Sequence, residues 1–503
     1  MPDLVRDVDL VGGTGILQGT FDNVEGTFDN VEGTFDNVDG AFDNIEGTSD
    51  AVEGTFDAVE GTFDLGEGTT VWHLVLDVSV VDGPFLITMC LIAAAFFIYL
   101  LGRGDGWSWV LTAIVVLVVG AIVGGGILWV AVNVLDSFGG PVADDTWLWI
   151  SAAFAGIALA IWNLWHSRWW RKLIAVVAIP VFSLTAMFGI NAAYGLDPTL
   201  GALLGISTAD TIDVDPPGET AAADPAEPLY LTWTPPPDMP ATGTIGIVGD
   251  GVPNTNSGFP ARPAQLYLPP AALVTDAPRL PLVIMMMGQP GDPEASFIGA
   301  VLDGFAAEHD GLAPIALVVD QLGDPAQDPL CLDTDLGDVE TYLMQDVVPW
   351  ARANLNVLQG RQFTTVAGYS NGGGCAAYFG AKHPDVFGNL LAISPVEFAG
   401  AERRDDVLAS AFDGDKLAYN AVKPANIMAA MAPYPDTTAI FTVGANDGAF
   451  VPGTQRLADA ALAAGMATTF FLVPDADHGV SGLNGGLEKG FEVLYPRLGL
   501  SER

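Results

Sequence analysis

Four long, uncharged, apolar runs fall between residues 84 and 195, and nothing else in the 503-residue chain restricts its folding as strongly. They cover about Pro84–Gly102, Trp107–Leu135, Trp147–Trp165 and Leu173–Tyr194, each near or above the roughly 20 residues a helix needs to cross a bilayer. Lipid offers the backbone no hydrogen-bond partners, so each run is expected to be a helix. Trp107, Trp147, Trp149, Trp165, Trp169 and Trp170 sit at their ends, where amphipathic rings favour the interface. Arg168, Arg171 and Lys172 lie between runs three and four, and Arg103 lies after run one. The loop between runs two and three carries Asp136, Asp144 and Asp145 and no basic residue. The bias of basic residues toward the cytoplasm then places both termini outside, although Met1–Gly13 has no apolar run that would read as a signal peptide. No run holds a charge near its middle, so an anchor is favoured over a transporter.

Ahead of these runs, residues 1–83 form a tail dominated by a seven-residue repeat, as in Gly19–Glu25, Gly26–Glu32 and Gly33–Asp39. Phe21, Val24, Phe28, Val31, Phe35 and Val38 recur at steps of three and four, one stripe of a helix, with carboxylates on the other faces. A glycine in every repeat, each costing about 1 kcal/mol relative to alanine, opposes a stable helix. Two readings stay open: an acidic amphipathic stripe that packs on a partner or on itself, or a solvated tail. The formal net charge of −43 argues against nucleic acid or anionic headgroups as partners, and solubility is its simplest explanation.

Residues 196–229 read as a linker, since Asp210–Pro228 is too rich in Pro, Ala, Asp and Glu to bury a core. From 230 to 503 the pattern changes again. Gln265–Leu268, Leu282–Met287, Ile315–Val319, Phe363–Ala367, Ala439–Val443 and Thr468–Val473 read as strands, alternating with helix-like stretches such as Val339–Leu355 and Gly453–Ala464. Such alternation predicts an α/β domain, a mostly parallel sheet with helices on both faces. No Cys/His grouping has metal-ligand spacing, so neither metal nor cofactor is expected. Cys90 sits in an apolar run. Cys331 and Cys375 fall in the C-terminal domain and would bond only outside the cytosol; their spacing does not show that they meet.

Gly368-Tyr369-Ser370-Asn371-Gly372 matches G-x-S-x-G, with an apolar strand leading in and the small-residue stretch Gly372–Ala381 leading out. A serine on so sharp a strand-to-helix turn needs flanking glycines, the signature of the nucleophile in the α/β-hydrolase fold. Its hydroxyl also needs a base. Five histidines make elimination workable. His73 and His166 belong to the tail and the membrane block, His309 precedes the serine, and His383 lies thirteen residues past it at the far end of the same helix. His478, on the loop after Thr468–Val473, comes last in chain order, as the base does in this fold. Asp447, just past Ala439–Val443, is the expected orienting acid. Asp475 and Asp477 share a short loop with His478 and suit loop solvation better. The expected oxyanion donors are the backbone N–H of Asn371 and that of Gln289; Pro290, the next residue, has none to give.

The segment Phe259-Pro260-Ala261-Arg262-Pro263-Ala264-Gln265-Leu266-Tyr267-Leu268-Pro269-Pro270, the serine elbow, His383-Pro384-Asp385-Val386-Phe387-Gly388 and the late His478 together resemble the "putative esterase" (esterase D-like) family of α/β-hydrolases. That family includes feruloyl esterases and actinobacterial mycolyltransferases. The resemblance spans roughly residues 240–500 and implies that Ser370, Asp447 and His478 match the triad, and Gln289 and Asn371 the oxyanion hole. Met287-Gly288 stands where many members have His-Gly, which sets the chain apart from the soluble thioesterase branch. The placing of Cys331 and Cys375 is similar to that in membrane-anchored actinobacterial members and implies a disulfide. The expected function is a membrane-anchored serine esterase facing the cell envelope, acting on small-molecule or envelope lipid or glycan esters. Two alternatives remain: an acyltransferase that passes the acyl group to a sugar or other alcohol, and a non-catalytic envelope scaffold.

Overall fold

The computed structural model describes residues 75–76, 78–81, 84–102, 106–134, 142–165, 167–194, 199–204, 210–214 and 227–502. The acidic repeat, His73, Arg103, Asp136 and His166 lie outside the described residues. All that follows concerns residues 77–503, which form one unit.

The apolar runs become α1 (Pro84–Leu101), α2 (Trp107–Asn133), α3 (Asp144–Asn163) and α4 (Trp169–Tyr194). All four are long and apolar enough to cross a membrane. Their outward faces carry Leu91 at 65 % and Ile98 at 68 % exposure, a surface that water would not tolerate over so wide an area. α3 starts three residues earlier than its apolar run, and Asp145 in its first turn suits the positive end of a helix dipole. At the other end of the bundle, Arg171 donates to the Asn163 side chain (2.9 Å) and to the terminal carbonyls of α1, Tyr99 (2.9 Å) and Leu100 (2.6 Å). A cation there satisfies acceptors that the helix end leaves open. The Tyr194 hydroxyl accepts the Ala143 N–H at 2.7 Å, clipping the end of α4 to the start of α3.

The C-terminal region is built on one nine-stranded sheet: β1 (Thr211–Ile212), β2 (Thr244–Val248), β3 (Gln265–Leu268), β4 (Leu282–Met286), β5 (Ile315–Val319), β6 (Thr364–Tyr369), β7 (Asn389–Ile393), β8 (Thr438–Gly444) and β9 (Ala467–Val473). Their order is β1-β2-β3-β5-β4-β6-β7-β8-β9, with only β3 antiparallel to its neighbours. β4–β8 are wholly buried, so they show apolar runs without alternation. α5 (Ser296–Glu308) and α8 (Val480–Leu498) pack together; α6 (Asn371–Lys382), the helix Pro424–Met431 and α7 (Val451–Ala463) form the second layer. β1 comes from within the stretch whose composition reads as linker, and it pairs with β2.

The expected helix Val339–Leu355 is interrupted by a π-helical segment, Tyr342–Val347. Pro349 has no N–H for the carbonyl four residues earlier, and that carbonyl, Gln345, accepts instead from the Asn256 side chain at 3.0 Å.

Candidate active site

β6 ends in the elbow that the glycine pattern predicts. Ser370 has φ 54° and ψ −115°, a conformation that costs a non-glycine residue of order 1–3 kcal/mol and survives only where its surroundings impose it. They do so by close approach. A Cβ on Gly368 would lie 2.0 Å from the Gly372 carbonyl oxygen, and one on Gly372 would lie 2.2 Å from that of Met286. The Ser370 N–H donates to Ile393 O (2.9 Å) and its carbonyl accepts from Val396 and Gly374, which fixes the turn against β7 and starts α6.

The Ser370 hydroxyl donates to His478 Nε2 at 2.9 Å, and His478 Nδ1 donates to Asp447 Oδ2 at 2.7 Å, tautomers following from the partners. Asp447 lies just past β8 and is 5 % exposed. His478 follows β9 and is clasped between the rings of Phe450 (4.0 Å between centroids) and Tyr369 (5.4 Å), which leave it little rotational freedom. The acid and base loops are zipped by backbone bonds, Ala445 N–H to Val473 O (2.9 Å) and Asn446 N–H to Ala476 O (2.8 Å). The three groups thus come from the C-terminal ends of three parallel strands, where doubly wound sheets carry their ligands.

Asp477, His309 and His383 are engaged elsewhere. Asp477 accepts from Ser481 at the start of α8, and His309 Nδ1 bonds Phe305 O at 2.8 Å. His383 bonds Glu340 at 2.8 Å. Burial alone would raise the Glu340 carboxyl, but hydrogen bonds from His383, Lys382 and Tyr378 pull it down to about 2.

The loop after β4 runs directly past Ser370, since a Cβ on Gly288 would stand 3.2 Å from Ser370 Cβ. Gln289, next in the chain, donates its side-chain amide to Pro325 O at 3.1 Å. The residue that sequence reasoning misses is Gln321. Buried at 3 % exposure just past β5, it donates through Nε2 to Met287 O (2.7 Å) and to Asn371 Oδ1 (3.0 Å). It therefore ties the loop carrying Gln289 to the elbow carrying Asn371. Beside it, Asp320 accepts from the Arg262 guanidinium (2.8 Å) and from the Leu322 and Gly323 N–H groups. A polar pair at the C-terminal end of an apolar strand was the available signal for both.

Cys331 and Cys375 are bonded, with Cα atoms 5.5 Å apart. They line a small pocket with Leu330, Val396, Phe398, Asp328 and Asn371. Burial pushes the Asp328 carboxyl up, against hydrogen bonds from Leu330 and Asn371. A bridge closing 44 residues restricts the unfolded chain by about 4 kcal/mol. Reduction, or the double change Cys331→Ala and Cys375→Ala, is expected to lower the Tm of the C-terminal domain by on the order of 10 °C in a calorimetric scan.

Fold and site together define a serine carboxylic-ester hydrolase of α/β type. The family model described as "Putative esterase" matches residues 261–470. An uncharacterized protein of Corynebacterium glutamicum is 30 % identical over 371 residues, 70 % of this chain and 83 % of the relative. That share is more than residues 230–503 can supply, so the likeness extends into the residues before them. The chain belongs to this esterase family. Among solved structures it is similar to a ferulic acid esterase (16 % identity, 51 % of this chain and 99 % of the other, TM-score 0.43). It is also similar to an S-formylglutathione hydrolase from Agrobacterium tumefaciens (15 % identity, 52 % and 98 %, TM-score 0.42).

Proposed function

We propose that the chain is a membrane-anchored serine esterase whose catalytic domain lies outside the cytoplasm. Ser370 attacks the ester carbonyl while His478 Nε2 takes its proton; Asp447 holds the imidazole and stabilises the imidazolium. The Asn371 and Gln289 N–H groups receive the oxyanion. His478 returns the proton to the departing alcohol, leaving an acyl-enzyme that water attacks by the same route in reverse. The observation that carries this reading is the unbroken chain of hydrogen bonds, 2.9 and 2.7 Å, from Ser370 through His478 to a buried Asp447. Supporting the orientation, Arg168, Arg171 and Lys172 lie at the end of α4 opposite Tyr194, and Tyr194 precedes the catalytic domain.

Turnover of a short-chain nitrophenyl ester by the full chain, with and without a sugar acceptor, tests the chemistry. Acid released in step with nitrophenol is expected; acylated sugar would recast the enzyme as a transferase, and no turnover would overturn the reading. A membrane-impermeant thiol reagent, applied to intact cells after reduction, is expected to reach Cys331 or Cys375. Protection of both would overturn the orientation.

Gln321 acts here by holding two oxyanion donors at a fixed separation. Gln321→Leu is expected to lower kcat about tenfold with KM little changed. An equal rise in KM instead would show a role in ground-state binding.

A further inference from the structure

The base loop does not stand free of the membrane block. A Cβ on Gly479, the residue after His478, would lie 2.5 Å from the Ala193 carbonyl oxygen in the last turn of α4. Only a glycine allows the two backbones so close. Since Ser370, Asp447 and His478 share one edge of the sheet, that edge faces the end of the bundle where α4 finishes.

The scale of this contact matters. α4 has 26 residues, about 39 Å of helix against about 30 Å of hydrocarbon, so its far end rises to the headgroup layer. One residue and one imidazole separate that end from Ser370, a span of about 15 Å at most. The chain leaving α4 is pinned twice. Thr199 pairs with Ser79 just after α4, and Thr211–Ile212 join the sheet as β1. A tether serving a soluble substrate needs no such fixed posture, whereas one that holds a cleft against a bilayer does.

We infer that the substrates are amphiphilic esters resident in the outer leaflet, delivered to Ser370 along the end of α4, so that the membrane block presents substrate as well as anchoring the domain. This rests on the esterase reading above.

The full chain, reconstituted in vesicles of ether phospholipid, separates the two. A palmitoyl ester of 4-methylumbelliferone dissolved in the bilayer is compared with the water-soluble acetate. Diluting the palmitoyl ester tenfold with ether lipid, at constant bulk concentration, is expected to cut its turnover about tenfold. Diluting the vesicles in buffer at constant mole fraction should leave turnover per enzyme unchanged. Ser370→Ala should abolish both rates. Hydrolysis of the acetate with none of the embedded ester, or a rate set by bulk concentration, would overturn the inference and leave the esterase standing. Hydrolysis of neither overturns both.

Discussion

Ser370→Ala is expected to lose about 10⁴- to 10⁶-fold in kcat on a nitrophenyl ester, since removing the nucleophile of a triad leaves only the oxyanion hole and binding. The loss should appear as chemistry and not as unfolding. Ser370 is held by its backbone, through Ile393, Val396 and Gly374, and its side chain bonds only His478. Alanine also relieves nothing at φ 54°, so the strained turn should persist with an unchanged Tm. A fluorophosphonate probe is expected to label the wild type and not the variant. Equal labelling of both would remove Ser370 from the mechanism.

Asp447→Asn should approach the same loss, about 10⁴-fold in kcat, while keeping the shape of the site. The carboxylate accepts His478 Nδ1–H at 2.7 Å; an amide turned to donate there would favour the tautomer that carries its proton on Nε2, facing Ser370. The ring clamp of Phe450 and Tyr369 would still hold the imidazole in place, so the defect is one of protonation and not of position. Activity in Asp447→Asn is therefore expected to recover in part at alkaline pH, where other bases can act. An unaltered kcat would mean that a different acid orients His478.

Much of this was legible before any coordinates. The elbow announced itself because the chemistry demands glycines at fixed places: the 2.0 Å and 2.2 Å approaches at Gly368 and Gly372 leave no other residue. His478 could be reached by elimination because the chain has so few histidines. The four apolar helices followed from hydropathy alone, their ends shifting by only a few residues. What stayed hidden was hidden for physical reasons. β7 is as short and as buried as β4 and β5, but its Asn389-Leu390-Leu391-Ala392-Ile393 holds a single β-branched residue where theirs hold two or three. β2 is interrupted by Gly246, and β1 has only two residues in a stretch whose composition reads as linker. The polar pair Asp320-Gln321 marks the end of β5, but the use of Gln321 depends on two loops that only the fold brings together. The contact of Gly479 with Ala193 joins residues nearly three hundred positions apart, and no local pattern encodes it.

The short strand β1 has a practical consequence. Composition invites cutting the catalytic domain free at residue 230, just past the Pro- and Asp-rich stretch. Such a fragment would discard Thr211–Ile212 and leave β2 with its outer row of amides and carbonyls open to any passing strand. Gly246, which lies under the Asp210 carbonyl and Ile212 in the intact chain, would face water. A fragment beginning at 210 keeps its own cover; one beginning at 230 is expected to associate edge to edge, so the choice of first residue decides between a monodisperse enzyme and an aggregate.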